Sequence, residues 1–168
     1  LVFSNNDILA KAKRFRWFGI DREEKQRGSW SNDITETGYK YQLTDLAASI
    51  GLASLEHLSE LIDHRKNLMQ EYINEINHQD IRILKMPNWE DSSSSPWLCT
   101  AIVKEGRGRL LRKLREKKIE SAQVHYRNDM YSIFGGSRQN LPTMNLLEDK
   151  YLVLPLHHKV KLEDVKYI

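Results

Sequence analysis

The 168-residue sequence carries a single cysteine, Cys99, and this alone excludes an internal disulfide. One thiol fits a reducing cytoplasm, where the chain is expected to reside. No apolar run approaches the ~20 residues that a membrane span needs, and the opening Leu1-Val2-Phe3-Ser4 has no basic-then-apolar targeting pattern. It also lacks an initiator Met and reads as a strand entered mid-course. Glycines are few, eight in all. Gly106-Arg107-Gly108 and Gly135-Gly136 lack the spacing and strand-to-helix setting of a phosphate-cradling loop, so they read as turns. His157 and His158 have no Cys or acidic partner at metal-ligand spacing, and no metal site is expected.

An apolar fraction of 40% beside 29% charged residues describes an ordinary folded domain. Net charge is +3, too small to imply a polyanion partner. The charge is uneven, because Lys104, Arg107, Arg109, Arg112, Lys113, Arg115, Lys117 and Lys118 crowd together with Glu105 and Glu116. That stretch carries +6 and the remainder −3. No aromatic stacking platform accompanies it, so it reads as a solvated helix face over Leu110, Leu111 and Leu114 rather than a nucleic-acid footprint. Cys99 falls in an apolar strand, where a buried, inert thiol is expected.

Hydrophobic spacing orders the rest. Asn5, Asn6 or Asp7 caps a helix to about Trp17, closed by Gly19. Asp21 to Thr37 shows no apolar period and reads as an excursion loop. Beyond Thr44 or Asp45, Leu46, Ile50, Leu55, Leu58, Ile62, Met69, Tyr72 and Ile76 recur at helical spacing. More than thirty residues is long for one helix, so a break is expected near Gly51 to Ser54. Gly51 costs roughly 1 kcal/mol against Ala in a helix, which suggests close packing there. Strands are expected at Ile81 to Leu84, Trp97 to Val103 and Ala122 to Tyr126, with an extended piece at Tyr151 to Leu156. Asp91 to Pro96 reads as a loop. Helices are expected at Gly108 to Lys117, from Pro142 and from Leu162, in a small α+β lobe.

The stretch Gly38-Tyr39-Lys40-Tyr41-Gln42-Leu43-Thr44-Asp45-Leu46-Ala47-Ala48 resembles a signature of the pyridoxal-phosphate-dependent sugar-nucleotide aminotransferases of the DegT/DnrJ type. Other segments resemble the family in the same order. They are Phe3 to Asp7 with Leu9, Ala10 and Arg14; Arg16 to Arg22; Gly51-Leu52 with Leu55, Arg65 and Tyr72; Val124 to Asp129; Leu154 to His157; and Glu163 to Ile168. The resemblance implies the C-terminal portion of an enzyme with the aspartate aminotransferase-like fold (fold type I), α/β passing to α+β. Residues 1–50 would be a remnant of the large cofactor domain and 51–78 a bridging helix. Residues 79–168 would form a small domain with a short antiparallel sheet flanked by helices.

It implies further that the Schiff-base lysine lies upstream, in a Gly-rich loop that none of the fourteen lysines here occupies. No catalytic residue is therefore assigned, and the chain alone is expected to be inactive and not to retain pyridoxal phosphate. Lys40 and Tyr39 are the candidate cofactor residues. Lys40 stands where the family often has asparagine, and Gln42, a candidate substrate residue, where many members have arginine. Tyr39 and Tyr41 alternate along an extended segment, one to line a site while the other packs. His125 and Arg127, two apart on the expected strand, would face one way toward sugar hydroxyls and diphosphate. The alternative for Arg127 is an ion pair with Asp129. Implied partners are a nucleotide-sugar, an amino-acid donor such as glutamate and a second copy in a homodimer, with no nucleic acid and no membrane. A deoxysugar dehydratase of the same family and a non-catalytic dimerisation module are the alternatives.

Overall fold

The computed structural model describes residues 4–28, 33–85 and 94–168. The expected strand end at Leu1 to Phe3 and the start of the serine loop lie outside these residues. The chain divides into two compact units, Leu1–Glu56 and His57–Ile168.

In the first unit, α1 spans Asn6–Phe15 and is capped as its sequence requires. The Asn5 side-chain oxygen accepts from the Asp7 and Ile8 amides at 2.7 and 3.3 Å, filling two of the donors a helix start leaves open. Gly19, at φ 78°, closes the helix by donating to the Arg14 carbonyl at 2.9 Å. A short helix, α2 (Arg22–Gln26), interrupts the stretch expected to be a loop. Asp21 caps it by accepting from the amides of Glu23 and Glu24. Its five residues carry no apolar side chain, so hydrophobic spacing could not report it; only the capping aspartate could. Next, α3 (Asp45–Glu56) starts where Thr44 Oγ1 accepts from the Ala47 amide at 3.2 Å.

The second unit is built on α4 (Leu58–Glu75), whose Leu68, Met69 and Tyr72 are buried. The helical run expected as one bridging element thus divides at His57, not near Gly51 to Ser54, and its second half belongs to this core. Strands β1 (Ile81–Ile83), β2 (Cys99–Val103) and β3 (Tyr151–Leu154) form an antiparallel sheet in that order. Ile81 pairs with Val103, and Ala101 with Leu152. Alternation buries Cys99, Ala101 and Val103. Burial pushes the Cys99 thiol up to about 12 and raises the Tyr72 phenol as well. Tyr72 keeps a partner by donating to the Pro155 carbonyl at 2.9 Å, as a buried hydroxyl must.

Three further helices complete the unit: α5 (Arg107–Glu116), α6 (Pro142–Leu147) and α7 (Leu162–Tyr167). α7 packs on α4 and α5 on β3. The solvated helix face expected of the basic stretch matches α5, with Leu114 buried and Leu110 and Leu111 packed against the core. Arg107 departs from it: its guanidinium donates to Gln123 Oε1 and to the Glu148 carbonyl, each at 2.7 Å.

Three further expectations are corrected. Ala122 to Tyr126 is not a strand, because a lone bridge from Ala122 to Val153 is followed by His125 at φ 66°. Pairing stops there since a left-handed residue turns the backbone out of the ladder. Trp97 and Leu98 precede β2 rather than open it. Gly51 also lacks the compensating packing expected of it, as a Cβ there would meet nothing within 4 Å. Gly51→Ala is therefore predicted to raise the free energy of urea unfolding by about 1 kcal/mol; a decrease would contradict the open surroundings described here.

Candidate functional site

Residues 38–41 are zipped to the end of α1. Tyr39 exchanges backbone bonds with Phe15 (2.7 Å) and Phe18 (3.0 Å), and Tyr41 donates to the Arg16 carbonyl at 2.9 Å. Two glycines permit this. A Cβ on Gly38 would overlap the Gly19 amide nitrogen, and one on Gly19 would overlap the Glu36 carbonyl. The backbones cross too closely for any side chain.

On this extended segment Tyr39 and Tyr41 share a face and stack, with ring centroids 5.3 Å apart and planes 21° apart. Both are exposed, so the expectation that one packs while the other lines a site is corrected. They wall a cleft with Leu9, Ala12, Phe15, Lys13 and Arg16. Alternation turns Lys40 to the opposite side, where it is exposed with no hydrogen bond or ion pair among the described residues. Gln42 is half-buried, and its Oε1 is enclosed without a hydrogen-bond donor. An exposed ammonium and, two residues on along the same face, a carboxamide oxygen without a donor are groups that suit an anionic, hydroxyl-bearing ligand.

In the second unit His125 and Arg127 do not share a face. His125 is exposed, its ring edge-on to Trp97 at 5.5 Å, and its carbonyl accepts from the Tyr151 hydroxyl. Arg127 is 9% exposed. Its Nε and Nη2 grip both oxygens of Asp129 at 2.7 Å, Nη1 reaches Asn145 Oδ1 at 2.6 Å and Glu148 Oε2 at 3.5 Å, and Nη2 also donates to the Gln139 carbonyl at 2.9 Å. These bonds occupy all five guanidinium N–H groups, leaving none for a substrate. The ion-pair alternative read from the sequence is the one observed, and the substrate-contact role expected of Arg127 is corrected.

Asp129 also accepts from the Gln139 amide at 2.7 Å, and Glu148 is bound by Arg138 as well. The Arg127 fork, then the Gln139 amide, hold the Asp129 carboxyl well below the usual range. Arg138, with Arg127 behind it, lowers Glu148, while Asp129 raises Arg127. The sequence offered Asp129 as the alternative ion-pair partner of Arg127. Sequence reasoning missed Glu148, Asn145, Gln139 and Tyr151, which only the fold brings to this place. Among the described residues no group of His, Cys, Asp and Glu could hold a metal ion, and no helix is long and apolar enough to cross a membrane.

Mixed helix with a small antiparallel sheet is a combination that other proteins share. AtS13 from Actinomadura melliaura superposes with a TM-score of 0.82 at 27% identity, covering 99% of this chain and 44% of that one. Spr1654 from Streptococcus pneumoniae, in its PLP form, superposes at 0.81 with 26% identity over 99% and 42%. In sequence, the chain is 26% identical over 178 residues to a UDP-4-amino-4,6-dideoxy-N-acetyl-beta-L-altrosamine transaminase of Campylobacter jejuni, covering 100% of this chain and 45% of that protein. The DegT/DnrJ/EryC1/StrS aminotransferase family matches residues 1–168, and the chain belongs to it. It spans about 45% of the length of the curated relatives it matches.

Depressed carboxylates stabilise the native state fully above the ordinary carboxylate range, near pH 4, and lose that contribution as pH falls toward their own lower values. Stability is therefore predicted to fall on acidification below about pH 4. Asp129→Asn lowers stability at neutral pH and flattens this acid slope in urea titrations at stepped pH. Parallel slopes for variant and parent would contradict the arrangement.

Proposed function

We propose that the chain is the C-terminal portion of a pyridoxal-phosphate-dependent aminotransferase that moves an amino group from an amino acid, glutamate, to a nucleotide-linked keto-sugar. Its product would serve polysaccharide or glycoconjugate biosynthesis. The observation that carries this is Lys40, an unpaired cation on a turn locked by two crossing glycines, within a family match over the whole chain. The Campylobacter relative's name supplies the nucleotide-sugar class, and the PLP form of the Streptococcus protein the cofactor.

Pyridoxal phosphate would supply the electron sink for amino transfer. In this reading Lys40 binds its phosphate as a compact point charge with three donors. Tyr39 contributes from the opposite face of the same segment, and the carboxamide of Gln42, on the Lys40 face, takes a substrate hydroxyl. His125, exposed and unbonded at its ring among the described residues, orients the sugar. The cofactor lysine would come from the part of the protein that this chain does not span, so the chain alone is inactive.

A homodimer is part of the proposal. In α3, Leu46 (74% exposed), Ile50, Leu52 and Leu55 leave apolar side chains open around the helix. A helix apolar on all sides belongs in an interior or an interface. The isolated chain is accordingly predicted to elute as a dimer or larger in size-exclusion chromatography, and a clean monomer would count against the interface. Co-expressed with the remainder of the protein, it is predicted to yield a complex with a cofactor absorbance band, and Lys40→Ala to lose the cofactor on dialysis more readily. Unchanged retention by the variant refutes the role of Lys40, and absence of any band refutes the reading as a whole.

A further inference from the structure

Residues 125–141 form an irregular segment with almost no apolar anchor of its own. Tyr126, Met130, Tyr131, Ile133 and Phe134 all point out, Ile133 at 83% exposure. A single 3-10 turn, Ser132–Phe134, is its one regular piece. What shapes it is polar. Arg127 ties its start to Asp129, to the Gln139 carbonyl at its far end, and to Asn145 and Glu148 beyond it. The Gln139 amide closes the ring by donating back to Asp129.

Just ahead, Gln123 donates to the Tyr151 hydroxyl at 3.1 Å, and Tyr151 donates to the carbonyl of His125. His125 is thereby held at φ 66°, a conformation that a non-glycine residue adopts against a steric penalty. Strain of this kind persists only where the surroundings over-determine it, and it gathers at functional positions. A buried ionic cluster is a poor way to gain stability, since desolvation offsets its attraction, and in some proteins such groups select one geometry instead.

We propose that Arg127 is a positioning residue for His125. Tyr151 holds the carbonyl of His125, and the five bonds of Arg127, two residues on, fix the chain that leaves it, so that the exposed imidazole stands edge-on to Trp97. This rests on the reading of His125 as a substrate contact, but the geometry it asserts can be measured without substrate. Arg127→Lys keeps the charge and cannot reproduce the planar fork. Asp129→Asn keeps the shape and removes the charge.

The test is NMR of the 168-residue chain, following the His125 ring protons, whose ring-current shift from Trp97 is calibrated with Trp97→Leu. The amides of Ala101 and Leu152, in the sheet, report the core. In both knot variants the His125 shift is expected to collapse to the Trp97→Leu value with the core amides unmoved. Affinity for UDP, the probe, is expected to weaken about tenfold. A retained His125 shift in a folded Arg127→Lys overturns the proposal. So does loss of the core amides in both variants, which makes the cluster a general stability element. If UDP leaves His125 unperturbed in the parent chain, the substrate reading of His125 fails, and the ring-current comparison still decides the role of Arg127.

Discussion

The contact between the Arg127 guanidinium and the Asp129 carboxylate governs the C-terminal unit's irregular half. Two parallel N–H···O bonds at 2.7 Å leave three donors on the same plane, and these meet the Gln139 carbonyl and two side chains of α6 and its cap, Asn145 and Glu148. Arginine alone offers such a rigid planar fork. The same buried charges would be costly unpaired, so the cluster acts as a unit: losing one partner strands the others. The regular half of the unit follows different physics. There Leu68, Tyr72, Cys99 and Leu152 pack with almost no exposure, and apolar burial supplies the driving force.

In the N-terminal unit the corresponding constraint is steric. Gly19 and Gly38 bring two backbones closer than any Cβ allows, and the bonds from Phe15 to Tyr41 then fix where Tyr39, Lys40 and Tyr41 point. Helix α3 continues from that turn with apolar residues on every side and none buried. The two candidate sites thus share a pattern: an exposed polar group (Lys40 or His125) held by a backbone whose course is dictated elsewhere. Function, in the proposed reading, depends on those anchors as much as on the exposed groups.

How much of this the sequence discloses depends on the range of the interaction concerned. Asn5 capping α1, Gly19 ending it and the apolar strand that buries Cys99 are local, and each was legible. The sheet strands and α5 to α7 fell close to their expected places for the same reason. The failures came where distant residues intervene. Ala122 to Tyr126 has the composition of a strand, but Tyr151 and the Arg127 cluster turn it away from the sheet. Arg127 looked available because Asn145 and Glu148 lie some twenty residues downstream, beyond any local pattern. α2 lacked apolar residues to show a period. Gly51 was expected to sit in a tight contact that this chain does not make.

The central claim is that buried ionic bonds, not apolar packing, give residues 125–141 one fixed shape. Hydrogen–deuterium exchange at neutral pH reads this most directly through the Gln139 amide, which donates to Asp129 from within an otherwise exposed stretch. The account predicts that this amide exchanges far more slowly than those of neighbouring Ser137 and Arg138. Exchange of all three at the rate of an unstructured peptide would contradict it.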